Sequence, residues 1–332
     1  MTRAADPATA APLHALLDAG AAFAPLYQGD LASHRPMALL ALWRLGADEA
    51  RLRAWAAAYE RQLEPAGPAE DWPAGDPWPA SFGRADHHPR LRALFTEWIA
   101  QEGPADTLEQ VLPGLAPGLG GFAFHGLIRL AAAWRSGHAG ELADALAAAV
   151  VMHQTFAPPP SGEGDEADPE VLLRALVLPP PTPGRIAERM RAAAADPATL
   201  ATLARLRVDE HTLERLARLA AKACAATGNF TALHLVTATH AMRQLLPFFH
   251  DPRAALAAFW QAWALGVLAA RLQPRAVPAP RPWKALVAAA LASDDDHLAK
   301  LVEACRDEER TWGGADWRAA ATAVAFPPAR TA

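Results

Sequence analysis

The segment Asp294-Asp295-Asp296-His297-Leu298-Ala299-Lys300 sets a histidine three residues before one of only three lysines, in a chain that otherwise relies on arginine. On a helix that spacing puts both side chains on one face. Arginine keeps its proton, whereas lysine can become neutral or be modified, so a lysine retained beside a histidine points to a buried metal site. The same residues also fit an acidic helix start, with three aspartates at the positive end of the helix dipole and Lys300 paired to one of them at the surface.

Four other histidines lie in apolar helical text. His34 stands in Ser33-His34-Arg35-Pro36-Met37-Ala38-Leu39, where a cap residue and an early proline mark a helix start. It reads as a capping histidine or as a site at the mouth of the first long helix. His125, in Gly121-Phe122-Ala123-Phe124-His125-Gly126, is expected to be at least partly buried, and burial obliges it to find a hydrogen-bond partner or a metal. The preceding Gly118-Leu119-Gly120-Gly121 follows no apolar strand and lacks the GxGxxG spacing, so it is assigned to backbone turning. His234 and His240 share one helical stretch, and six residues rotate a helix by about 240°, so both cannot face one metal. His234, between Leu233 and Leu235, is the favoured ligand; His240, near Arg243 and Gln244, is a supporting or solvated bystander.

No Gly-x-Ser-x-Gly elbow, His-Glu-x-x-His helix, Walker loop or paired Glu-x-x-His set is present, which argues against serine hydrolases, zincins, P-loop ATPases and ferritin-like di-iron proteins. Cys224 and Cys305 have no CxxC neighbour and read as buried free thiols.

These residues need elements to position them, and the elements are helical. Alanine, leucine and arginine recur with helical spacing over 36–63, 90–101, 126–134, 141–153, 210–227, 230–246, 252–272 and 294–309, and nothing comparable alternates with period two. The expected fold is therefore all-α, a large multi-helix single domain. With 332 residues, 52% of them hydrophobic, the chain can bury a large core. Proline-rich stretches at 65–79, 158–160 and 179–183 must leave the helix. The second runs into acidic Gly162-Glu163-Gly164-Asp165-Glu166 and predicts an exposed, mobile loop over 157–168 between two halves, about 1–156 and 169–332. A net charge of −5 without a basic block gives no footprint for nucleic acid. The most apolar run, about 254–272, carries Gln261 and Gly266 and reads as a buried helix and not a membrane span. A soluble cytoplasmic protein is expected, because the first residues lack a secretory layout.

Taken in order, Ser33-His34-Arg35-Pro36-Met37-Ala38-Leu39 with Trp43-Arg44-Leu45-Gly46-Ala47, then Phe124-His125-Gly126-Leu127-Ile128-Arg129-Leu130-Ala131, Leu233-His234-Leu235-Val236-Thr237 and Asp296-His297-Leu298-Ala299-Lys300 resemble the questin oxidase-like family. The resemblance spans nearly the whole chain. It implies an oxidoreductase, an oxygenase that opens anthraquinone-type polyketide rings by Baeyer-Villiger oxidation with NADPH or by dioxygenation at a non-haem iron. Carried over position by position, it makes His34, His125, His234 and His297 ligands of Fe2+, with Lys300 as a carboxylated lysine aligned by its spacing from His297. Its substrates would be a small aromatic molecule and O2. The compact, alanine- and arginine-rich chain departs from fungal members and suggests a bacterial relative, a departure that bears on the substrate more than on the metal. No nicotinamide or flavin fingerprint is present, which leaves NADPH as an external reductant, as bound through an unrecognised site, or as irrelevant to this chain. Imidazoles and a carboxylate suit iron, and Trp43, Trp134, Trp260 and Trp263 are candidates for stacking on the substrate. Two other readings stay open: a metal-dependent hydrolase in which histidines and a carbamylated lysine hold zinc, and a non-catalytic helical binding protein with structural histidines.

Overall fold

The structure is a computed structural model describing residues 7–73, 75, 77–160 and 162–327. Among these residues the fold is all-α, with sixteen α-helices and one hairpin of two-residue strands. Contacts divide the chain into two compact units. The first comprises residues up to Gln154 together with Pro247–His250; the second comprises Thr155–Leu246 and the residues from Asp251 on.

The first unit runs α1 (Pro7–Gly20), β1 (Leu26–Tyr27), β2 (Leu31–Ala32), α2 (Arg35–Leu45), α3 (Glu49–Glu60), α4 (His88–Glu102), α5 (Pro104–Leu115), α6 (Gly121–Ser136) and α7 (Ala139–Val151). The single helical stretch expected over 36–63 is two helices. Gly46 takes a left-handed conformation (φ 101°) that ends α2, and Asp48 starts α3 by accepting the Arg51 N–H at 2.8 Å. Arg35 joins α1, α2 and α3, donating to the Leu16 carbonyl and to Glu60, each at 2.7 Å. Arg129 on α6, itself buried, donates to Glu141 and Asp144 on α7, and His88 on α4 reaches Asp144 at 3.2 Å. Burial pushes both carboxyls up. Arg129 and His88 overcome this for Asp144, which lies below the usual carboxylate range, whereas Glu141, beside the Asp144 charge, stays above it.

The second unit runs α8 (Pro169–Ala175), α9 (Ile186–Ala194), α10 (Pro197–Leu203), α11 (Thr212–Thr227), α12 (Phe230–Leu245), α13 (Pro252–Ala270), α14 (Trp283–Ala292), α15 (Asp296–Trp312) and α16 (Asp316–Ala325). Side chains of Asp168, Asp196, Asn229, Asp251 and Asp295 cap the helices they precede, which explains the sharp starts. Helix α12 lies centrally, packed against α11, α13 and α15. The α13 helix is long and apolar enough to cross a membrane by length and composition, yet 78% of its apolar window is buried in the protein. It is a core helix, with Trp260 and Trp263 enclosed.

The 157–168 loop is exposed along much of its length but pinned at its far end. Glu166 and the strand-like segment at Leu206 form a parallel bridge, with Glu166 N–H donating to Arg205 O at 3.0 Å and Arg207 N–H to Glu166 O at 2.7 Å. Helices α8 and α10 have proline at their first position, where its missing N–H costs nothing. Their shortness leaves little periodicity to read.

Arg129→Met should lower stability by about 3–5 kcal/mol in urea unfolding, because it leaves two buried carboxylates without their cation; an unchanged midpoint would contradict the network. His153, stacked on Phe82 with ring centroids 3.7 Å apart, has its pKa pulled by burial down to about 4. Its folded-state pKa lies below the ordinary value of 6.5, so the stability it contributes is present above 6.5 and is lost as pH falls toward 4. The stability–pH profile of His153→Phe should be flatter than wild type across that window.

Candidate metal centre

Of the five histidines read from the sequence, His34 and His125 meet in the first unit and His234 and His297 in the second. In the first unit His34 occupies the position before α2, but its side chain makes no cap. Its backbone N–H donates to the Tyr59 hydroxyl at 3.0 Å, and its ring lies against that of His125 with centroids 4.5 Å apart and planes 15° from parallel. The two Nε2 atoms are 2.5 Å apart. At that distance one ring nitrogen donates a hydrogen bond to the other. The capping reading of His34 is therefore replaced by a histidine pair, with both residues buried.

His125 is aimed by an unusual stretch of backbone. Phe122, Ala123 and Phe124 are left-handed, with φ of 50°, 55° and 69°, a conformation that costs non-glycine residues roughly 1–2 kcal/mol each. The turn brings the Phe122 carbonyl onto His125 Nδ1. With a carbonyl as acceptor, Nδ1 must carry the proton, which makes Nε2, facing His34, the basic nitrogen of the ring. The neighbouring glycines do not supply the turn as expected. Gly120 has φ −76°, and Gly118 and Gly121 serve close approach: a Cβ there would strike the His153 ring and the Met152 carbonyl respectively.

In the second unit His234 lies on α12 and His297 in the first turn of α15, with ring centroids 5.2 Å apart. His234 Nδ1 bonds the Phe230 carbonyl at 2.8 Å, and His297 Nδ1 bonds Asp296 Oδ1 at 3.0 Å. The aspartate run thus divides its work, Asp295 capping the helix through the His297 N–H and Asp296 orienting the imidazole. Lys300, one turn beyond His297, is buried and forms no ion pair with a carboxylate among the described residues. The expected surface pair to an aspartate does not exist. Burial pulls the Lys300 pKa from 10.5 down to about 8, against the opposing pull of Asp296 and Asp295.

His240 is neither solvated nor turned toward His234. It is 5% exposed and meets Asp307 at 3.1 Å, in a network where Arg243 donates to Asp307 at 2.8 Å and to Glu308 at 2.7 Å and Trp312 donates to Glu308. His240, Asp307 and Glu308 have metal-like spacing, but the Arg243 cation already occupies both carboxylates, so the cluster latches α12 to α15. Of the tryptophans considered for stacking, Trp260 and Trp263 are core, and Trp134 packs edge-on against Phe248.

His125, His234 and His297 share one arrangement: Nδ1 meets a carbonyl or carboxylate oxygen, which fixes the tautomer and makes Nε2 the basic nitrogen of each ring. Metal-binding imidazoles are held in this way, since the outer hydrogen bond fixes the tautomer and ring orientation. Imidazole nitrogens with a carboxylate suit iron, so these residues fit the implied metal. The supporting partners Phe122, Phe230 and Asp296 carry no motif of their own; only the adjacency of Asp296 to His297 is visible in sequence.

An all-α protein with buried imidazoles oriented through Nδ1 is the class that fold and site define. A model of the questin oxidase-like family matches residues 31–305, a span containing all five residues carried over above, and the chain belongs to that family. The family is one of oxygen-using oxidoreductases, and in that general sense the chain is an oxygenase acting on a small molecule. A search of curated proteins returned no match.

Ala123→Gly should raise stability by about 1 kcal/mol in denaturant unfolding, because glycine adopts φ near 55° without strain. Gly121→Ala should do the reverse. A loss of stability in Ala123→Gly would mean that the left-handed turn is not populated.

Proposed function

We propose that the chain is a non-haem iron oxygenase that cleaves, or inserts oxygen into, an aromatic quinone-type polyketide-like ring. Its ligands are His34, His125, His234, His297 and a carboxylated Lys300. The observation that supports this reading most strongly is the shared Nδ1 arrangement of His125, His234 and His297. Three imidazoles with satisfied Nδ1 atoms have the fixed tautomer and ring orientation that metal-binding histidines carry. The family match supports oxygen chemistry in general.

Each residue has a part that follows from its surroundings. The carbonyls of Phe122 and Phe230 and the Asp296 carboxylate hold the Nδ1 protons, so that the neutral imidazoles present Nε2. Lys300 is buried with a depressed pKa, which favours a neutral amine. Attack of that amine on carbon dioxide forms an N–C bond and releases one proton, leaving a carbamate whose charge offsets part of the metal's. Bound ferrous iron would supply the activation of dioxygen that imidazole and carboxylate groups lack. Incorporation of both oxygen atoms needs no external electrons, whereas a Baeyer-Villiger insertion consumes one NADPH for each O2 and releases water.

Iron-loaded protein supplied with a dihydroxyanthraquinone should consume O2, and the NADPH-to-O2 ratio will separate the two stoichiometries. Turnover that persists anaerobically would overturn the oxygenase reading. Protein equilibrated with 13C-bicarbonate should show a carbamate carbon resonance that is lost in Lys300→Arg; a wild-type spectrum without it would remove the modified lysine from the ligand set.

A further inference from the structure

Phe230 opens α12 with its ring 54% exposed, the one aromatic among the exposed large apolar side chains of the described residues. Burying such a ring is favourable, and much of that burial is forgone here. The ring nevertheless has neighbours. Its centroid is 4.5 Å from that of His234 at 61° and 4.6 Å from that of His297 at 56°. One side of Phe230 is thus set by two imidazoles, while a large part of the ring is open.

We propose that Phe230 is a substrate-contacting specificity residue whose open ring stacks on a planar aromatic substrate and holds it beside His234 and His297. The inference rests on the oxygenase reading above and extends it by naming the surface that selects a flat, π-rich ligand over an aliphatic one. Aromatic rings prefer offset or edge contacts at 4.5–7 Å between centroids. A ring already in edge contact with imidazoles leaves its remaining face for an offset partner.

The local chemistry makes the test clean. His234 is oriented by the backbone carbonyl of Phe230 and not by its side chain, so replacing the ring leaves that hydrogen bond in place. Phe230→Ala and Phe230→Leu should keep iron content while weakening anaerobic binding of a dihydroxyanthraquinone, followed by its visible absorbance, by roughly 3- to 10-fold. Phe230→Trp should bind at least as well as wild type. Equal affinity in wild type, Phe230→Ala and Phe230→Leu would overturn the assignment and leave the oxygenase reading standing. Iron lost from Phe230→Ala but kept in Phe230→Leu, with affinity unchanged in the latter, would reduce the ring to packing for the histidines and likewise overturn it. Failure of iron-loaded wild type to bind the anthraquinone, with oxygen consumption on other substrates, would sink the aromatic substrate class and this inference with it.

Discussion

A fixed acceptor for the proton on one ring nitrogen sets an imidazole's tautomer and orientation, and much of this structure serves that constraint. The acceptors differ in kind. Phe122 provides a carbonyl through a strained left-handed turn, Phe230 provides one from the preceding helical turn, and Asp296 provides a carboxylate from the adjacent residue. In each case the chain spends local conformation on holding a proton at Nδ1. The three left-handed residues before His125 are the clearest expense, because they have no glycine among them.

Orientation of single rings is not enough; the helices that bear them must also keep their register. Buried ionic clusters do this in both units. Arg129 lies one helical turn beyond His125 and ties α6 to α7, where His88 adds α4. Arg243, His240, Asp307 and Glu308 join α12 to α15, the helices that carry His234, His297 and Lys300. Buried ion pairs contribute little net stability compared with apolar packing, but a mismatched register leaves charges without partners, which is strongly penalised. The two histidines on α12 thus have different partners: His234 lies against Phe230 and His297, and His240 locks α12 to α15 through Asp307.

The all-α class was legible because helical spacing recurs and period-two alternation does not, and helix rotation alone set His234 and His240 on different faces, the choice between them resting on their apolar and polar neighbours. What remained hidden depends on partners far along the chain or on backbone torsions. The buried state of His240 is set by Asp307, 67 residues later. No residue type announces the left-handed turn at Phe122–Phe124, and the glycines beside it drew attention to the wrong cause. Helices α8, α9 and α10 are too short to show a face, and the α2–α3 break hangs on one glycine and one aspartate. His34 looked like a cap because its position is one; only its ring contact with His125 shows its other use.

The central claim is that prepared imidazoles hold iron, and elemental analysis of purified protein after anaerobic ferrous reconstitution tests it most directly. The account predicts near-stoichiometric iron in wild type, loss of iron in His234→Ala, and retention in His240→Asn, which can still hydrogen-bond Asp307. Wild-type protein that binds no iron, or His234→Ala that keeps it, would contradict the claim.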